Sequence, residues 1–184
     1  MVDQMTLQTI GILLTAVTVS IAAIYYTLTL RYTRRNQDLQ LETRQAQLFM
    51  QIFNRFQEVE FRNNFNDVLT REWEDYDDYV RKYGRFTNPT AQAIAASIGL
   101  FFDGLGVLLK KGLLDVDIVG ELMSTPVRLY WDKMNPVWAG MRDRMKRESV
   151  MDNVEYLYNE IAKRDMRLGR DKEVPDPYQE LESL

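Results

Sequence analysis

The stretch Ile10-Gly-Ile-Leu-Leu-Thr-Ala-Val-Thr-Val-Ser-Ile-Ala-Ala-Ile24 decides the fold of this chain. It lies within a run of 27 residues, Gln4 to Leu30, that contains no charged side chain. A bilayer core about 30 Å thick needs roughly 20 apolar helical residues, so this run is long enough to span it with some tilt. We therefore predict a single N-terminal transmembrane helix over residues 5–30, in contact with membrane lipid.

A cleaved signal peptide is the competing interpretation of this run. Such peptides begin with basic residues and carry an apolar stretch of about 7–15 residues before a small-residue cleavage site. Here the first residues include Asp3 and no Lys or Arg, and the apolar run is longer. Tyr25, Tyr26 and Tyr32 stand at its far end, where amphipathic rings favour the headgroup region. These features favour an uncleaved anchor.

The basic residues beside the run predict its orientation. Arg31, Arg34 and Arg35 follow it directly, whereas its N-terminal side has no Lys or Arg. Positively charged flanks stay on the cytoplasmic side of a membrane. We therefore expect a single-pass protein of the cell (inner) membrane, with its N-terminus outside and the chain from residue 31 onward in the cytoplasm.

Residues 91–109 form a second apolar stretch. Asp103 near its middle would cost about 2.5–3.5 kcal/mol in a membrane, which favours the central buried helix of a bundle over a second span. As a buried charge, Asp103 needs a partner, and Arg128 or Arg142 is the expected one.

The remaining pattern predicts an all-α protein. Residues 31–60 continue the span as an amphipathic stalk helix, for which core packing is favoured over a coiled-coil seam. Residues 61–168 form a helical cytoplasmic domain, so that the span continues into a stalk and a cytoplasmic bundle of about five or six helices. Residues 169–184 form a flexible polar tail. The apolar stalk positions are Leu39, Ala46, Phe49, Phe53 and Phe56.

Turn and cap residues set the expected helix limits. Gly84 suits a left-handed helix end, and Asn88-Pro89 suits a helix start. A short helix is expected from Asp115 or Asp117 to Met123, and Thr125-Pro126 would begin the next one. Pro136 would kink or break that helix near Asn135, within a buried seam. The seam residues are Val127, Trp131, Met134, Trp138, Met141 and Met145.

Composition excludes several classes of function. The 184 residues include neither Cys nor His, which removes thiol and His-based catalysis and the common transition-metal sites. A net charge of −4, from 23 basic and 27 acidic residues, argues against a nucleic-acid partner.

The densest carboxylate group lacks the spacing of a calcium loop and indicates a solvated helix face. That group is Glu72, Glu74, Asp75, Asp77 and Asp78. We expect no cofactor, no metal and no enzymatic activity.

Four short segments resemble a family of uncharacterised prokaryotic membrane proteins. They are Leu100-Phe-Phe-Asp-Gly-Leu-Gly106, Lys111-Gly-Leu-Leu-Asp115, Tyr130-Trp131 and Met141-Arg142. The resemblance extends over residues 5 to about 165. It implies one N-terminal span and a helical cytoplasmic domain, and it assigns no catalytic residue.

These features favour a membrane-anchored scaffold or accessory subunit that acts through protein–protein assembly, either with itself or with other membrane-protein subunits. The alternatives are a homo-oligomeric pore or sensor and, less favoured, a tethered hydrolase that uses carboxylates. Small residues on one side of the span would provide a helix-packing face, because helices in lipid associate through close packing. This face consists of Gly11, Thr15, Thr18, Ala22 and Thr29.

Overall fold

The fold is all-α, as predicted. The computed structural model describes residues 3–170, and across them the chain forms six helices and no strand. The helices are α1 (Gln4–Gln57), α2 (Val59–Thr70), α3 (Tyr76–Tyr83), α4 (Pro89–Lys110), α5 (Val116–Met145) and α6 (Asp152–Arg167).

Helix α1 takes part in two compact units of the chain. It runs for 54 residues without interruption, so the apolar run and the amphipathic stretch form one helix. The first unit is Met1–Arg44 and the second is Gln45–Leu184. Phe49 and Phe56, from the stretch 31–60, are buried in the core of the second unit.

The core of the second unit is built around α4. This helix packs most extensively on α6 and also contacts α2 and α3, while α5 packs on α6, α3 and α2. Apolar residues of α4 recur on its inner side with helical spacing, which explains its position. The buried ones are Ala91, Ala95, Ile98, Phe102, Leu105 and Leu109.

Glycines allow α4 to approach its neighbours. A Cβ placed at Gly106 would lie 2.0 Å from the carbonyl oxygen of Asn153 in α6. At Gly99 it would lie 3.1 Å from Met151 and from the Tyr130 hydroxyl. These two glycines therefore permit α4 to cross its neighbours closely.

The helix limits follow local chemistry. Asn88 accepts a hydrogen bond from Ala91 N, with Pro89 at the first helical position, and Asp115 accepts from Asp117 N at 2.7 Å. Gly112 has the left-handed φ of 68° that a helix stop favours. Gly84 was expected to adopt a left-handed conformation too, and this was wrong, because its φ is −72°.

Helix α5 corrects three predicted boundaries. It runs uninterrupted through Pro126 and Pro136, so the helix end at Met123, the start at Thr125 and the break near Asn135 were wrong. A proline removes its own N–H and frees the carbonyl four residues earlier. Those carbonyls belong to Leu122 and Asp132, which are exposed. Packing of the buried side of α5 against the core holds the helix together across both prolines. The buried seam ends at Trp138, since Met141 is half-buried and Met145 is exposed.

Helix α6 ends at the edge of the described region. Gly169 has a φ of 66°, and the Arg170 guanidinium donates to Glu121 at 2.8 Å. The rest of the predicted tail, residues 171–184, lies outside the described residues.

Candidate assembly surfaces

The apolar segment of α1 is uncovered. Two helices of the described region are long and apolar enough to cross a membrane, α1 and α4. In α1, the described large hydrophobic side chains from Met5 to Leu30 are 48–74% exposed. Exposed apolar surface of this extent marks a contact with lipid or protein. Within the first unit, α1 has no second helix that could cover this surface.

The predicted packing face of the span lies on the exposed surface of α1. All five of its residues are exposed, and a Cβ added at Gly11 would meet no atom within 4 Å. The hydroxyls of Thr15 and Thr18 donate to the carbonyls of Gly11 and Leu14, each at 2.8 Å. These hydroxyls need no partner on another helix, so a contact here would depend on close packing. The face consists of Gly11, Thr15, Thr18, Ala22 and Thr29.

The predicted anchor residues follow the apolar segment on the same helix. Arg31, Arg34 and Arg35 are all exposed. Tyr25 and Tyr26, which precede them, are also exposed, with an edge-to-face contact at 6.3 Å between ring centres. Aromatic and then basic residues therefore follow one another at the end of the apolar segment.

Asp103 has a different partner from the expected one. It is half-buried and accepts two hydrogen bonds from the Asn153 amide, at 3.2 and 3.3 Å. The predicted pairing with Arg128 or Arg142 was wrong, because these arginines of α5 bond to the α6 residues Asp165 and Glu155. The α4–α6 crossing at Gly106 explains the result, since it brings Asn153 next to Asp103.

The acidic cluster around α3 is divided among structural roles. Asp75 caps α3 by accepting from Asp78 N at 2.8 Å, and Asp77 pairs with Arg144. Asp78 is buried and pairs with Lys82 at 2.8 Å and Arg81 at 2.5 Å, so it does not belong to a solvated face. Among residues 3–170, no group of three or more carboxylates is arranged to hold a metal ion.

Asp78 leads to a pH-dependence prediction. Its hydrogen bond with Lys82 lowers the pKa of this carboxyl from 3.8 to about 2, with further help from Glu74 N–H and Arg81. A lowered folded-state pKa contributes stability above the unfolded pKa and loses it as pH falls through the folded one. We expect Asp78→Asn to lower the melting temperature at neutral pH, and the gap from the unmodified chain to shrink between about pH 4 and pH 2. Melting curves across this range check it, and a constant gap would contradict it.

A buried charge network was not foreseen. Arg164 of α6 is 2% exposed, and its guanidinium bonds to Asp117 and Glu121 of α5 at 3.0 Å and to Asp165 at 2.9 Å. Asp165 also accepts from Ser124 at 2.7 Å. The network ties α6 to the first half of α5.

A sequence signal for this network existed. The buried positions Val154, Leu157 and Ile161 are spaced three and four residues apart, and three residues further is Arg164. The same helical spacing therefore places a charged residue on the buried face of α6.

One open cleft lies beside the start of α4. It encloses about 430 Å³ and is lined by residues at the end of α2 and just after it, at the end of α3, in the α3–α4 loop and at the start of α4. Arg71 is buried there, where it donates to Ala91 O at 2.9 Å and Asp67 at 2.5 Å and stacks over Tyr83. This arginine already has partners in the fold, so the cleft is polar but has no excess charge with which to hold an ion.

Comparison with known proteins adds one finding. The profile of a family described as Domain of unknown function (DUF4760) matches residues 10–161. No protein with a curated description and no solved structure matches the chain.

Proposed function

The chain belongs to the DUF4760 family, whose function is unknown, and we propose from its structure that it is a membrane-anchored helical scaffold or accessory subunit. It would act by assembling with a second copy of itself or with other membrane-protein subunits. The observation that carries this proposal is the uncovered apolar segment of α1, on a chain whose second unit has its own buried core.

Length and flanking charge support a span over a signal sequence. The 27 uncharged residues from Gln4 to Leu30 extend about 40 Å as a helix, more than the roughly 30 Å of a bilayer core. The intrahelical hydroxyl bonds reduce the cost of placing Thr and Ser in lipid. The prokaryotic inner membrane, with the N-terminus outside, is the location we propose from the arginines that follow the span.

The topology leads to a labelling prediction. Because the chain has no Cys, single cysteines introduced by Asp3→Cys or Gln37→Cys report their own side of the membrane. In intact cells, a membrane-impermeant maleimide should label the Asp3→Cys variant and leave the Gln37→Cys variant protected until the cells are opened. Equal labelling of both variants in intact cells would overturn the orientation.

The assembly role leads to a prediction on the span. The double substitution Gly11→Leu and Ala22→Leu places large side chains on the small-residue face. Close packing between helices in lipid depends on small residues. We expect the double variant to co-isolate less with its partner from mild detergent, while Val17→Leu, an enlargement on another face, should co-isolate normally.

Two differently tagged copies of the chain, expressed together, separate the forms of assembly. Recovery of both tags indicates self-assembly, and recovery of another protein at a fixed ratio to one tag indicates a subunit role. Equal co-isolation of the double variant and Val17→Leu would show that this face is not the contact.

A further inference from the structure

We draw no further inference here: the strongest candidate, the open cleft beside the start of α4, carries none because its buried arginine, Arg71, is already hydrogen-bonded to Ala91 O and Asp67, and nothing else among the residues that the structure describes there points to a ligand.

Discussion

Replacing Gly106 by alanine is expected to destabilise the second unit by about 3 kcal/mol or more, the upper end of overpacking effects. The new Cβ would lie 2.0 Å from Asn153 O and 2.6 Å from its carbonyl carbon. These are backbone atoms of α6, so they cannot move aside as a flexible side chain would. Relief requires α4 and α6, the most extensively packed helix pair, to separate. Thermal unfolding of the full chain in mild detergent, followed by circular dichroism, measures the effect.

Gly104 provides the matched control two residues away. Its added Cβ would meet nothing within 4 Å, so Gly104→Ala should stabilise the helix by about 0.5–1 kcal/mol. The comparison is made at high dilution, where contact between copies does not contribute. A Gly106→Ala variant that melts like Gly104→Ala would show that α4 and α6 are further apart than described.

The second large effect is expected at Trp138. This side chain is 3% exposed, and its ring packs against Tyr130 and Trp131 with centres 5.3 and 5.6 Å away. Removing a buried aromatic side chain leaves a cavity and costs about 3–5 kcal/mol. Trp138→Ala should therefore lower the melting temperature of the full chain strongly.

Phe86 is the control for this substitution. It is 99% exposed in the loop between α3 and α4, so Phe86→Ala should change stability by no more than about 0.5 kcal/mol. If Trp138→Ala melts at the same temperature as Phe86→Ala, the buried seam of α5 is misplaced.

Local sequence predicted the starts of α4 and α5 because each depends on a few adjacent residues. Asn88 and Asp115 cap their helices through bonds that extend only two or three residues. The boundaries predicted at Pro126 and Pro136 were wrong because the effect of a proline on a helix depends on the packing around it. A proline removes one intrahelical hydrogen bond, and at both sites the packing of the buried side of α5 keeps the helix continuous.

The candidate surfaces were predictable to different extents. The apolar segment of α1 was evident, since hydropathy needs no knowledge of the fold. The partner of Asp103 was not, because it depends on how α6 crosses α4 at Gly106. The Arg164 network could have been predicted by extending the helical spacing of the buried α6 residues past Ile161. That spacing reaches Arg164, a charged residue at a position that usually holds an apolar one.

Gly120 and Arg164 have a consequence for how sequences of this kind diverge. A Cβ at Gly120 would lie 2.6 Å from Arg164 Cδ, so the glycine provides the space in which the arginine lies. A larger residue at 120 is tolerable only where residue 164 has become shorter. Without Arg164, the carboxylates of Asp117 and Glu121 would lose the positively charged side chain with which both pair. In relatives of this chain, the residues at positions 117, 120, 121 and 164 should therefore change together.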